Sequence, residues 1–304
     1  MTQEDMLQAL DKVAHLAAAS KWERLWASPL RYAEAILFRE IVFRQTRKER
    51  SVWCRTFFNA PMCLLLPSAT DIYLTGGKTH PSEIRLARFL IRRLREGDVF
   101  MDVGAHYGYF SLLASALVGS SGKVVAFEAA PSTFPVLKIN TQKAGNVSAH
   151  QLALSDKDAL LTFYEFPKLY SKYNSFYVTQ FEGEKWFAHY PPKTVKIPAA
   201  RLDTFLSETG LRPTVLKIDV EGAEDKVVQG GQASLAAQTP VIIMEYVSQQ
   251  RGNAAHQRAE DMLRALGYRP CRIEESGDIQ SLESIADHLI ESRLDWDNVV
   301  FVRP

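Results

Sequence analysis

The amino-acid sequence predicts an α/β protein built on a doubly wound parallel sheet. From residue 99 onward, short apolar segments alternate with amphipathic helical segments. Fully apolar strands between helices are typical of a parallel sheet that helices cover on both faces. The strand candidates are 99–103, 123–129, 147–154, 214–220, 240–246, 268–273 and 298–304.

A helical N-terminal extension is expected over residues 1–50. Residues 2–27 place apolar residues at helical spacing behind Thr2, which can cap a helix. Residues 31–47 form a second amphipathic pattern rich in arginine. A basic helix of this kind can make a weak peripheral contact with an anionic membrane surface or with a partner. The alternative is a solvated helix that packs on the main domain.

Residues 51–304 are expected to form one catalytic domain that opens with a small β-hairpin layer. From Trp53 to Leu74 the segments VWCRTFF, MCLLLP and DIYLT are rich in strand-forming residues and separated by turn residues. A helix then starts at Pro81 and is stopped by Gly97.

Residues 160–200 interrupt the alternation and are interpreted as an insertion on the substrate side. They contain YSKYNSFYVTQ (170–180) and EKWFAHYPPK (184–193). Tyrosine, asparagine and serine side chains suit a sugar or polyol acceptor, and loops near a binding crevice often set specificity. The alternative is a packed structural loop.

Composition narrows the class of protein. The chain has 304 residues, a net charge of +1 and 46% hydrophobic residues. A nucleic-acid partner usually needs a strongly basic domain, so none is expected. The three cysteines lack CxxC spacing, and no apolar run is long enough for a membrane span. We therefore expect a cytoplasmic protein; the oligomeric state is left open.

The loop after the first strand, DVGAHYG, predicts the cofactor. A dinucleotide fingerprint needs G-x-G-x-x-G, whereas here Gly104 is followed only at Gly108 by a second glycine. Asp102 would repel a pyrophosphate but suits the α-ammonium group of methionine, whose carboxylate suits exposed helix amides. We expect Asp102, Gly104, Ala105 and Gly108 to contact S-adenosylmethionine.

Acidic residues at the next two strand ends extend this site. Glu128 closes the second strand, where a carboxylate can accept both ribose hydroxyls. Ser155 and Asp156 follow the third strand, and Asp156 can accept a hydrogen bond from the adenine amino group. The alternative for these two residues is a local turn or helix cap.

The fourth strand ends in KIDVEG, which supplies the candidate catalytic acids. Alternation along a strand puts Lys217, Asp219 and Glu221 on one side, and Asp219 ranks before Glu221 as contact for the acceptor or its proton. The alternative is a structural ion pair of Lys217 with Glu221, with Glu224 capping the next helix. Glu245 could form a Mg²⁺ site with Asp219, but spacing offers no third oxygen ligand, so no metal is expected.

Several segments together resemble the FkbM-type S-adenosylmethionine-dependent methyltransferases: MDVGAHYGYFS, AFEAAPS, LALSD, RLDTFL, VLKIDVEGAEDKVVQGG and NVVFVRP. The resemblance covers roughly residues 72–304 and is most specific in the pairing of KIDVEGAE with DVGAHYG. It implies a class I methyltransferase fold, a Rossmann-like seven-stranded sheet with an antiparallel last strand. It also implies O-methylation as the usual reaction and cofactor roles for Asp102, Gly104, Gly108 and Glu128.

The function expected from these observations is O-methylation of a hydroxyl on a small-molecule, glycan or polyketide-like acceptor. One alternative is a nicotinamide-dependent oxidoreductase, which the missing middle glycine disfavours. Another is a non-catalytic scaffold that keeps the cofactor fold and docks through the basic helix.

Overall fold

Helices and strands alternate around one large mixed sheet, which confirms the predicted α/β class. The computed structural model describes residues 1–167, 174–175, 178, 183 and 187–303. Within these ranges, no helix combines the length and the apolar character that crossing a bilayer requires.

The N-terminal segment folds into several short helices. These are α1 (Gln3–Ala18), α2 (Lys21–Ala27), α3 (Pro29–Leu37), a π-helix (Phe38–Phe43) and α4 (Arg44–Thr46). The prediction of a single helix over 2–27 is wrong at residues 19–20, because Ser20 and Glu23 form a second capping box that begins α2. Met6 and Leu10 of α1 join the main hydrophobic core, so α1 is not a separate unit.

The next segment contains β1 (Arg50–Arg55), β2 (Pro61–Leu66), α5 (Thr70–Thr75) and α6 (Pro81–Arg93). β1 and β2 form the predicted antiparallel hairpin. The prediction of a strand at DIYLT is wrong: it forms α5, which ends at Gly76 in the left-handed conformation. Ile72 and Tyr73 are the buried residues of this helix, so their tertiary packing outweighs their strand propensity. α6 begins at Pro81 as predicted and ends before Gly97.

The remaining elements follow in chain order. They are β3 (Val99–Val103), α7 (Tyr109–Val118), β4 (Lys123–Phe127), α8 (Phe134–Thr141), β5 (Val147–His150), β6 (Ala153–Ser155), β7 (Ala159–Glu165), β8 (Lys193–Arg201), α9 (Leu202–Thr209), β9 (Val215–Ile218), α10 (Glu224–Gly230), α11 (Gln232–Gln238), β10 (Val241–Val247), α12 (Ala254–Ala265), β11 (Arg269–Ile273), β12 (Ile279–Ser281), α13 (Ile285–Glu291) and β13 (Trp296–Val302).

The main sheet has the strand order β5-β4-β3-β9-β10-β13-β11-β12. β3, β4, β5, β9 and β10 run parallel, and β13 lies antiparallel between β10 and β11. These strands reproduce the predicted class I methyltransferase sheet, to which β12 adds a short eighth strand at the edge. The order reverses between β3 and β9, and open α/β sheets bind ligands at such a reversal.

The strand predicted over 147–154 is two strands in two sheets. β5 pairs with β4 in the main sheet, whereas β6 joins a three-stranded sheet in the order β6-β8-β7. β7 and β8 are the two ends of the predicted insertion. Of the segment YSKYNSFYVTQ, all but Asn174, Ser175 and Val178 lies outside the described residues, as do parts of EKWFAHYPPK.

Strand register brings the chemistry-bearing side chains together. In the parallel pairing of β3 with β9, Asp102 is opposite Lys217. Large apolar clusters pack on the two faces of the sheet, one including residues of α1, α6 and α7, the other residues of α9, α10 and α12. The polar groups at the carboxyl ends of the strands are therefore held by a rigid, close-packed frame.

Candidate functional site

A cavity of about 820 Å³ opens at the carboxyl ends of β3, β4, β9 and β10. Six of the nine residues predicted for the site line it: Asp102, Gly104, Ala105, Glu128, Asp219 and Glu221. The other three, Gly108, Ser155 and Asp156, do not.

The loop after β3 is hydrogen-bonded to the end of β4 and lies in close contact with the residue that follows β9. The amides of Gly104 and Ala105 both donate to the carbonyl of Phe127, at 3.0 and 2.8 Å. Gly104 has φ +83°, and a Cβ there would lie 1.8 Å from the carbonyl oxygen of Asp219. Only glycine fits this approach, because it lacks a Cβ and tolerates positive φ.

Gly108 has a structural place just behind the cavity. It has φ +85°, donates its amide to the carbonyl of Ala105 at 2.8 Å and precedes the first residue of α7. A Cβ at this position would lie 2.7 Å from Cδ1 of Leu137. Gly108 therefore turns the loop into α7.

Lys217 lies between two carboxylates at the sheet reversal. Its Nζ is 3.0 Å from Oδ2 of Asp219 and 3.5 Å from Oδ1 of Asp102. Lys217 and Asp102 are only 2% and 1% exposed. Among the described residues, Lys217 forms its ion pairs with Asp102 and Asp219 and not with Glu221, which the alternative interpretation had paired with it.

One oxygen of Asp102 is ion-paired with Lys217 but accepts no hydrogen bond from the described residues. The hydroxyl of Ser111 donates to Oδ2 at 2.6 Å, whereas buried Oδ1 accepts no hydrogen bond from the described residues. Such an atom next to a cavity is a place for a ligand donor.

Two ammonium groups hold Asp219 in its ionised form. Burial raises the pKa of Asp219, but the ammonium groups of Lys217 and Lys78 outweigh burial and keep the pKa below its ordinary value. Lys78 is itself paired with Glu83 at the cavity wall. Asp219 can therefore accept hydrogen bonds as a carboxylate at neutral pH.

Glu128 is the buried acid at the end of β4. Its two oxygens accept from the backbone amides of His106 and Ala130, both at 2.9 Å. Burial raises the pKa of Glu128 to about 7 despite these two hydrogen bonds, and the nearby charge of Asp102 adds to the rise. The group therefore titrates near neutral pH.

Stability should fall with rising pH because of Glu128. Its folded-state pKa of about 7 lies above the ordinary glutamate value of 4.5, so between these values the native state binds more protons than the unfolded state. We expect the free energy of unfolding to decrease as the pH rises through about 7, in urea titrations at several pH values. Glu128→Gln should remove this part of the slope and lower stability throughout, since the Gln amide nitrogen cannot accept from a backbone amide. An unchanged slope would contradict the assignment.

Three carboxylates meet where the sequence offered only two. Asp219, Glu221 and Glu245 bring oxygen atoms within 4.8 Å of one another. Burial raises the pKa of Glu245 well above its ordinary value, and the charges of Asp219 and Glu221 add to this. Glu221 thus supplies the third oxygen that spacing alone did not reveal. The sequence analysis predicts that no metal takes part, and this stays a prediction.

Sequence reasoning gave Glu224 no role beyond capping and passed over His256. Fully buried Glu224 accepts from the amides of Val220 and Gly222, at 3.1 Å each, and so holds the turn in which Glu221 has φ +54°. Nε2 of His256, a buried residue of α12 that lines the cavity, is 3.3 Å from Glu224. The cap expected of Glu224 is not observed, because Glu224 is the first residue of α10, Ala223 is its N-cap, and no side chain of the described residues caps this helix. No local signal pointed to His256.

Ser155 and Asp156 are engaged away from the cavity. The hydroxyl of Ser155 donates to Asp156 at 3.2 Å, and Lys226 of α10 lies 3.2 Å from the same carboxylate. This geometry fits the alternative of a local turn. The adenine contact predicted for Asp156 has no support from the geometry.

Comparisons with known proteins show which family this chain is similar to. Residues 102–270 match the family described as Methyltransferase FkbM domain. The chain is 32% identical over 161 residues to 31-O-demethyl-FK506 methyltransferase FkbM of Streptomyces tacrolimicus, covering 45% of this chain and 60% of that protein. It is 30% identical over 159 residues to the hexuronic acid methyltransferase AglP of Haloferax volcanii, covering 51% and 59%.

Among solved structures, Methyltransferase FkbM from Methylobacillus flagellatus aligns at 13% identity with a TM-score of 0.43. The alignment covers 77% of this chain and 52% of that one. The chain spans about three fifths of the length of the two curated relatives.

Proposed function

Because this chain belongs to the FkbM methyltransferase family, we propose that it is an S-adenosylmethionine-dependent O-methyltransferase. Its acceptor is a hydroxyl group of a small molecule, a sugar or a polyketide-like compound. One observation carries the proposal: the strand-end acids Asp102, Glu128 and Asp219 line one cavity around the Gly104 loop.

S-adenosylmethionine, expected from the sequence, is the cofactor of this family, and the cavity residues fit it. Oδ1 of Asp102 is 3.5 Å from Lys217 Nζ and accepts no hydrogen bond from the described residues, so it suits the α-ammonium group, which would donate a charge-assisted hydrogen bond to it. The carboxylate of Glu128 has lone pairs left after its two amide contacts and can accept from ribose hydroxyls. Gly104 and Ala105 let the backbone approach closely. A volume of about 820 Å³ is within the range of cofactor sites.

The reaction needs a group that takes the proton of the acceptor hydroxyl. S-adenosylmethionine, which Asp102, Glu128 and the Gly104 loop would hold, would supply an activated methyl group for the acceptor oxygen. Ionised Asp219 accepts a hydrogen bond from that hydroxyl and aligns its oxygen. Because Glu221 and Glu245 lie so close, the three carboxylates together bind a proton more tightly than one would. This cluster is the base in our proposal.

Asp219→Asn should lower turnover by at least about tenfold, because an amide oxygen accepts a proton poorly. Binding of S-adenosylhomocysteine should stay within about twofold, since the proposed role is toward the acceptor. Initial rates with labelled cofactor and calorimetric titration measure the two quantities. The matched control is Asp278→Asn, an exposed aspartate in the β11–β12 turn, which should change neither. Unchanged turnover in Asp219→Asn would remove Asp219 from the mechanism.

The relatives indicate which acceptors to test. By their names, one methylates an oxygen of 31-O-demethyl-FK506 and the other methylates a hexuronic acid. A panel of hydroxylated compounds that includes 31-O-demethyl-FK506 and hexuronic acids should therefore be offered with labelled cofactor. A base-stable methyl ether among the products supports a hydroxyl acceptor, whereas a base-labile methyl ester would place the methyl group on a carboxylate. Activity that survives a chelator would support a reaction without metal.

The two rival functions make different predictions. A nicotinamide oxidoreductase should gain thermal stability with NAD, whereas our proposal requires a gain with S-adenosylhomocysteine and none with NAD. A non-catalytic scaffold would bind the cofactor product and transfer no label to any acceptor.

A further inference from the structure

The N-terminal helices expose an unusual number of large apolar side chains. Half of the twelve exposed large hydrophobic residues of the described chain lie between residues 22 and 42. Trp22, Trp26 and Leu30 are 72%, 78% and 85% exposed, and Leu37 and Ile41 are more than half exposed. We call these five residues the N-terminal apolar face.

The spacing of these residues makes the face continuous along each helix. Trp22 and Trp26 are four residues apart on α2, and no residue of α2 is buried. Leu30 and Leu37 are seven residues apart on α3, and Ile41 follows four residues later in the π-helix. Residues three, four or seven apart share one side of a helix. Two tryptophans on a helix that buries nothing are not explained by core packing.

The segment that carries the N-terminal apolar face has a net positive charge. Residues 21–50 contain eight lysines and arginines and four glutamates, a net charge of +4 in a chain whose total is +1. The acids at 23, 34 and 40 are already engaged, with a capped helix end, with Arg50 and with two neighbouring arginines. Among the described residues, the ion pairs of this segment involve Arg39, Arg44 and Arg50 but not Lys21, Arg31 or Lys48, and Arg31 lies over the ring of Tyr73.

We infer that the N-terminal apolar face binds an anionic lipid surface. Tryptophan favours the boundary between headgroups and acyl chains, where its ring meets apolar tails and its N–H stays hydrated. The exposed leucine and isoleucine of the face are suited to insertion among the acyl chains, and the lysines and arginines of the same segment to contact with anionic headgroups. A second copy of this chain fits less well, because it would bring another net charge of +4 against the first. This inference does not depend on the proposed methyl transfer.

Co-sedimentation with vesicles tests the inference on the full chain. We expect binding to phosphatidylcholine vesicles that contain phosphatidylglycerol to be at least about tenfold stronger than binding to phosphatidylcholine alone, and to weaken at high salt. The variant Trp22→Ser/Trp26→Ser should lose at least about tenfold in binding to the anionic vesicles. Its thermal unfolding midpoint should not change, because α2 buries no residue.

Trp53→Ser is the matched control. Trp53 is 57% exposed on β1, outside the N-terminal apolar face, so its replacement should leave vesicle binding unchanged. The inference is overturned if the wild-type chain ignores anionic vesicles or if Trp53→Ser weakens binding as much as the double variant. It is also overturned if the double variant dissociates a dimer seen by light scattering, since the face would then be a subunit interface.

Discussion

Gly104→Ala is expected to weaken binding of S-adenosylhomocysteine by at least about 100-fold, because the new methyl group collides with backbone. A Cβ at Gly104 would lie 1.8 Å from the carbonyl oxygen of Asp219, and φ at this position is +83°. The loop after β3 must then move off the end of β9, which displaces the wall of the cavity that Gly104 forms. Calorimetric titration of the folded variant measures the loss.

Two glycine variants separate this effect from general damage. Gly210 has φ +67° but open space around it, so Gly210→Ala should cost about 1 kcal/mol of stability and leave binding unchanged. A Cβ at Gly230 would lie 1.9 Å from the carbonyl oxygen of Ser155, which does not line the cavity, so Gly230→Ala should destabilise the fold and spare binding. Near-normal affinity in Gly104→Ala would show that this loop is not part of the cofactor site.

Lys217→Met is expected to lower the free energy of unfolding by about 3–5 kcal/mol at neutral pH. The substitution keeps the apolar stem of the side chain but removes the ammonium group, which is the only cation within 4.0 Å of buried Asp102 among the described residues. The carboxylates of Asp102 and Asp219 then lose the cation that lies between them. Because the pKa of Asp219 is lowered in the folded state, its ionised form contributes stability at pH values above the ordinary aspartate pKa of 3.8, and this stability is lost as the pH falls through the folded-state pKa. The deficit of the variant should therefore shrink in acid. Denaturant titrations at neutral and acidic pH measure it.

Lys123→Met provides the control and a double variant provides the cycle. Lys123 is exposed at the start of neighbouring β4, so its replacement should change stability by less than about 0.5 kcal/mol. Asp102→Asn/Lys217→Met should recover part of the loss, because it removes the carboxylate left without a cation. If Lys217→Met costs as little as Lys123→Met, the ion pairs of Lys217 carry no net stability.

Local sequence patterns determined much of the fold and six of the residues that line the cavity. Apolar segments bounded by turn residues predicted strands such as β3, β4 and β9, since a strand buried on both faces needs apolar residues throughout. Acids and glycines directly after these strands marked the sheet edge, and Asp102, Gly104 and Glu128 do line the cavity. These features could be predicted because each depends on neighbours in sequence and on one general rule for parallel sheets.

Tertiary structure alone decided which side chains face one another. Lys217 pairs with Asp102 because the register of β3 and β9 places them side by side, across more than a hundred residues of sequence. Glu221 meets Glu245, and His256 meets Glu224, only after α10, β10 and α12 have packed. Packing against distant segments also made DIYLT a helix. No segment of the described chain packs over the two tryptophans of α2, so they are exposed. Contacts between distant segments are set by strand order and packing, and a single sequence read locally contains neither.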